Sequence, residues 1–181
     1  QDGQRLQTKL LIGADGAQSR VNELLNIGRI QHNFGQAAVI ANVRSTEPHL
    51  NRAFERFTDT GPMALLPLGE ERWSLVWSIP EEQQSEFAQL SDPAFLARLQ
   101  SRFGQRVGRF IQTGKRSIYP LQLIEAKQAV SHRVVLLGNA AHQLHPVAGQ
   151  GYNLGLRDLF ALAQTIQQAI KQQQDIGGFC C

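Results

Sequence analysis

Apolar and polar residues alternate with two different periods along this chain, and the change of period divides it into segments. Residues 36–44, 53–58, 63–68 and 72–79 follow a period of two and read as successive strands. Gly61-Pro62 and Gly69-Glu70-Glu71 are the turns between them, and Pro80 closes the run. The last strand is the most regular. Trp73, Leu75, Trp77 and Ile79 alternate with Ser74, Val76 and Ser78, which puts both indoles on one face. Beyond it the period lengthens toward that of a helix. Residues 81–90 and 93–103 are predicted helices, the second with Phe95, Leu96, Leu99 and Phe103 on one stripe. Asp92 before Pro93 supplies its cap and first turn. Strand character returns over 116–124 and 134–137. A long helix then follows, with Tyr152, Leu156, Leu159, Phe160, Ala163, Ile166 and Ile170 recurring at three- and four-residue steps.

Two glycine-rich turns stand at the ends of this pattern. In LLIGADGAQSRV, residues 10–21, an apolar strand runs into a turn with Gly13, Asp15 and Gly16. Ser19 is placed to cap a short helix over Val21, Leu24 and Leu25. Asp15 either binds a ribose or accepts backbone N–H bonds that brace the turn. The second turn is GNAAHQLHPVAGQGYNLGLRD, residues 138–158, between the strand at 134–137 and the long helix. Gly149, Gly151 and Gly155 bracket the helix start, where glycine lets backbone approach a ligand. The first amides of a helix lack internal partners and carry the positive end of its dipole, which suits an anionic or electron-rich group. One such turn is commonly structural. Two, each in a strand–turn–helix setting, are a stronger signal.

The pair resembles two fingerprints of the flavoprotein aromatic hydroxylases, the group that includes p-hydroxybenzoate hydroxylase. In that family the Asp-Gly motif lies near the FAD pyrophosphate and is linked to NAD(P)H binding. The later motif, usually Gly-Asp-Ala-Ala-His, holds the flavin ribityl chain, and the following helix start faces the isoalloxazine. The resemblance therefore assigns Gly13, Asp15 and Gly16 to the first contact. It assigns Gly138, Asn139, Pro146, Gly149, Gln150, Gly151, Tyr152 and Asn153 to the second, with Asn139 standing where most of the family has Asp. GNAA followed by HP and AGQGYNLG is most similar to the ubiquinone-pathway branch, as are AFERFTDTGPMALLPL (53–68) and RWSLVW (72–77). The likeness extends over nearly all of residues 5–176.

This resemblance implies an α/β (α+β) fold: a partial Rossmann-like FAD-binding domain with an inserted antiparallel β-sheet substrate domain. Residues 1–30 and 131–181 would belong to the first and residues 31–130 to the second. The implied activity is that of a monooxygenase. NAD(P)H reduces FAD, O2 is consumed, and one oxygen atom passes to a prenylated phenol. The cofactor carries that chemistry, so no acid–base pair or nucleophile is required and no side chain receives a catalytic role. Two other readings stay open at this level. One is a noncatalytic relative within a quinone-synthesis assembly; the other is a flavin-dependent reductase.

Family members begin with a strand–GxGxxG–helix unit for the ADP half of FAD, and none precedes the Asp-Gly motif here. Met63 is the only Met. The chain thus reads as the middle and later part of a longer enzyme, inactive by itself, and GFCC after Gly177 departs from family-like sequence. The 18 basic residues are dispersed and the net charge is only +3, which argues against nucleic acid. No run of ~18 apolar residues suggests a membrane span. The expectation is a cytoplasmic protein that meets a lipid-tailed substrate peripherally at the inner-membrane surface or receives it from ubiquinone-biosynthesis proteins. The adjacent Cys180 and Cys181 cannot staple a fold, and His142 and His145 lack a third metal ligand nearby. His145-Pro146 instead shapes the backbone. Arg56, Trp73 and Trp77 are candidate substrate contacts. Their alternatives are a solvated edge charge for Arg56 and core packing for the indoles. The stretch TGPMALLPL, 60–68, either lines a lipid-tail channel or forms a buried strand.

Overall fold

The computed structural model describes residues 3–146 and 149–178; Val147, Ala148 and the end of the GFCC segment, with both cysteines, lie outside the described residues. The chain divides into two units, one of residues 34–121 and one of the segments before and after it. It opens with β1 (Leu11–Gly13) and α1 (Arg20–Leu24), then enters the middle unit along β2 (Arg29–Ser45). There follow β3 (Phe54–Thr58), β4 (Gly61–Leu68), β5 (Arg72–Pro80), α2 (Gln84–Gln89), α3 (Asp92–Phe103) and β6 (Phe110–Thr113). β7 (Ser117–Ala126) leads out to β8 (Val130–Ser131), β9 (Val134–Leu136), β10 (His142–Gln143) and α4 (Gln150–Lys171). Both boundaries fall inside continuous strands, so no Gly- or Pro-rich linker marks them.

The middle unit is an antiparallel sheet in the order β7-β2-β5-β4-β3, with β6 also on β2. The two-residue period sends alternate side chains to opposite faces. Val39, Val43, Met63, Leu65, Trp73, Leu75, Trp77 and Ile79 make one face, which packs on Phe87 of α2 and on Phe95, Leu99 and Phe103 of α3. The cap of α3 is Ser91, one residue before the position predicted: its hydroxyl accepts the Ala94 N–H at 3.4 Å. Asp92 and Pro93 occupy the first turn instead. There the carboxylate favours the helix dipole and lies 3.3 Å from the Arg116 guanidinium. The opposite face carries an apolar patch among polar residues such as Asn42, Ser74 and Ser78. Ile40 pairs with Val76, and Val76 with Ala64, while Leu66 sits opposite Ser74. Ile40 and Leu66 are exposed there.

In the other unit β1 and β9 pair in parallel and β8 pairs antiparallel to β9. The all-apolar β9 is covered on both sides, as strands of parallel sheets are. Val135 packs with Leu162 and Ile166 of α4, and Leu136 with Ala141, Val21 and Ile27. α4 departs from expectation. Of the predicted stripe only Ile166 packs in this core, whereas Leu162 and Ala169 are its buried residues. Tyr152, Leu156, Leu159, Phe160 and Ile170 are exposed. The helix is apolar over two adjacent faces roughly a quarter turn apart, and the small sheet covers the narrower one.

The segment after α4 is tied back by Arg133, which donates to Lys9 O at 2.9 Å and pairs with Asp175. The guanidinium, helped by the Gly177 N–H, holds the Asp175 carboxyl down at about 2. A lowered carboxylate pKa contributes stability above its unfolded value and loses it as pH falls through the folded one. Asp175→Asn should therefore flatten the dependence of melting temperature on pH between about 4 and 2, read by thermal melts across that range.

Candidate cofactor site

Both glycine-rich turns leave the carboxyl ends of adjacent parallel strands, the edge at which α/β sheets bind ligands. The Leu137 N–H donates to Gly13 O at 2.8 Å and joins them directly. In the first turn Asp15 Oδ2 accepts the N–H groups of Arg20 at 2.8 Å and Val21 at 3.3 Å. The Ser19 hydroxyl is the main influence holding the Asp15 carboxyl below its ordinary value. Of its two sequence readings, bracing the turn is the one this geometry displays. Ser19 Oγ accepts the Asn22 N–H at 3.1 Å as the expected cap of α1. Arg29 closes the turn from outside, donating to Ala17 O at 3.1 Å and Ser19 O at 2.8 Å. Gly13 has a packing reason: a Cβ there would lie 2.7 Å from Leu136 Cδ2.

The second turn begins as a short 3-10 segment, Gly138–Ala140. Asn139 is exposed on it. α4 approaches closely here, since a Cβ on Gly155 would meet Gly138 Cα at 3.4 Å. His142 Nε2 lies 3.5 Å from Asp158 Oδ2, which places β10 beside the third turn of α4. Burial pushes the His145 pKa down, favouring its neutral form. Pro146 is exposed ahead of Gly149, whose φ of +61 marks the helix cap; among the described residues no side chain caps α4. The amides of Gln150, Gly151, Tyr152 and Asn153 are thus those of an uncapped helix start. Among the described residues, a Cβ built on Gly16, Gly138 or Gly149 would meet no atom within 4 Å beyond its chain neighbours. Open glycine faces, uncapped amides and the neutral Asn139, Gln150 and Asn153 suit a large ligand with an electron-rich ring and a polyol chain. FAD is such a ligand.

Of the candidates in the middle unit, Trp73 and Trp77 fall on its covered face, whereas Arg56 is exposed on β3. Trp73 and Trp77 are 1% and 2% exposed and sit in the core. Trp77 packs edge-on to Phe87 at 5.0 Å, and Trp73 Nε1 donates to Ser45 Oγ at 2.9 Å. Arg56 donates to Phe103 O at 2.5 Å, closing the carboxyl end of α3. Core packing occupies both indoles, and Arg56 spends one of its donors on the Phe103 carbonyl.

The FAD binding domain family matches residues 1–176. The chain belongs to that family. It is 40% identical over 176 residues to ubiquinone hydroxylase UbiL of Rhodospirillum rubrum, covering 97% of this chain and 41% of that protein. It is 37% identical over 210 residues to the mitochondrial ubiquinone biosynthesis monooxygenase COQ6 of Xenopus tropicalis, covering 97% of this chain and 45% of the relative. Among solved structures, P. aeruginosa PqsL in complex with 2-aminobenzoylacetate aligns with a TM-score of 0.78 at 24% identity, over 99% of this chain and 52% of that one. That likeness supports the fold. The chain spans less than half the length of the curated relatives it matches. Within this FAD-binding fold, Arg29 and Asn22 are turn-forming residues that sequence inspection does not single out. The open sheet face was detectable: Ile40 and Val76 are apolar at positions a one-sided sheet would leave polar.

Proposed function

We propose that the protein, at the full length of its relatives, is a FAD-dependent monooxygenase that hydroxylates a prenylated phenol in ubiquinone biosynthesis, using NAD(P)H and O2. The observation that carries this reading is the identity to ubiquinone hydroxylase UbiL across nearly the whole chain, including both cofactor turns. Bound FAD, reduced by NAD(P)H, supplies the electrons that activate O2. The chain's own part is to bind and orient. The amides of 150–153 favour the negative charge that a reduced isoalloxazine carries. Asn139 holds a ribityl hydroxyl, and Gly13, Asp15 and Gly16 shape the turn beside it. The apolar row of Ile40, Val76, Ala64 and Leu66 accommodates the phenol and its tail. The protein collects that substrate at the inner-membrane surface; no described helix is long and apolar enough to cross a membrane.

The test is purification of the full-length protein followed by assay with NAD(P)H and a prenylated phenol. The expected result is a yellow protein whose NAD(P)H oxidation matches O2 uptake and yields a hydroxylated ring. Oxidation without O2 uptake points to a reductase, and a protein without flavin to a noncatalytic relative. Asn139→Asp refines the site. A charged acceptor bonds a hydroxyl more strongly than a neutral one, so FAD affinity should rise by about 1 kcal/mol, roughly fivefold, in a fluorescence titration. Weakening by about tenfold would instead identify Asn139 as a donor.

A further inference from the structure

Asn22 lies in α1 at 1% exposure. Its Nδ2 donates to Ala140 O at 2.8 Å, tying the helix after the Asp-Gly turn to the turn that carries Gly138 and Asn139. Its own N–H donates to Ser19 Oγ. Its Oδ1 is buried with no hydrogen-bond partner among the described residues. A buried acceptor left unmet is unfavourable. For packing alone, a leucine of similar shape would serve at least as well. What the amide adds is its hold on one peptide plane. Asn22 grips the oxygen of the Ala140–Ala141 peptide, while its N–H, on Ala141, donates to Gly138 O at 3.0 Å. With both ends held, the short turn presents Asn139 outward in one orientation.

We propose that Asn22 is a positioning residue of the cofactor site. It couples the Asp-Gly turn to the Gly138–Ala140 turn and so fixes Asn139 against the polyol chain of FAD. This rests on the FAD reading above. Asn22 need not touch the cofactor; it acts through Ala140.

The test compares the full-length protein with Asn22→Leu and Asn22→Asp. Asn22→Leu exchanges one unmet buried acceptor, its own Oδ1, for another, Ala140 O, so it should melt close to the wild-type temperature without cofactor, yet bind FAD about tenfold more weakly, with an altered visible circular dichroism of the bound flavin. In Asn22→Asp, burial raises the carboxyl pKa. Protonated, it donates to Ala140 O; ionised, it repels that oxygen. Its FAD affinity relative to wild type at the same pH should therefore fall between about pH 5 and pH 8. Asp15, Arg20, Glu23, Arg29, His142, His145, Arg157 and Asp158, charged or titratable groups of these turns and of α1, are common to both proteins and cancel in the ratio. A change below about twofold in folded Asn22→Leu, or a flat ratio in Asn22→Asp, overturns the proposal. If Asn22→Leu does not fold, the ratio for Asn22→Asp decides alone. A wild-type protein that binds no FAD overturns the cofactor reading instead. Hydrogen exchange of the Ala141 N–H in the cofactor-free protein then tests the tie: faster exchange in either folded variant supports it, and unchanged exchange overturns it.

Discussion

Gly151→Val, introduced at the full length of the relatives, should yield a folded protein that no longer holds flavin. Among the described residues a Cβ at Gly151 meets only Leu144 Cβ, at 4.0 Å, which leaves room for a larger side chain. Valine also costs a helix no more than glycine does. The new methyl groups would instead stand over the first amides of α4, where the isoalloxazine is proposed to lie. A hundredfold loss of FAD affinity, about 2.7 kcal/mol, is the expected scale. Visible absorbance per protein after gel filtration measures retention, and melts of the cofactor-free protein check the fold. A variant that stays yellow with normal turnover would remove the helix start from the cofactor site.

Leu65→Ser and Leu66→Ser should have opposite consequences, although the residues are neighbours. Leu65 is fully buried, opposite Leu75 in the core of the middle unit, whereas Leu66 is 45% exposed on the other face. Removing a buried leucine side chain and leaving a hydroxyl in its place costs roughly 3–5 kcal/mol, visible as a lower denaturant midpoint. Leu66→Ser should shift stability by less than about 1 kcal/mol. If the prenyl tail lies on the open face, that same substitution raises KM for a long-tailed phenol more than for a short-tailed analogue. Equal losses on the two substrates in folded Leu66→Ser would take the tail off this face.

The sheet of the middle unit was legible because helices cover one side of it, so the alternation from Trp73 to Ile79 records burial directly. The same alternation could not say whether the indole face meets helices or substrate, since both environments are apolar. α1 was legible from a local signal, Ser19 ahead of Val21. The buried face of α4 was not, because a helix apolar on two sides offers a period-based reading two answers. Asn22 was invisible for a different reason: its partner is 118 residues away, and a contact across such a separation leaves no local pattern. Asp15 was ambiguous because ribose binding and turn bracing ask for the same short carboxylate; the structure shows its Oδ2 accepting from Arg20 and Val21.

The uncovered side of α4 governs how these 181 residues would behave in a tube. Tyr152, Leu156, Leu159 and Phe160 give two copies a greasy strip by which to stick together. A net charge of +3 offers little repulsion to keep them apart. Colloidal behaviour, rather than unfolding, would then limit the concentration at which the chain alone can be handled, and mild detergent would extend it.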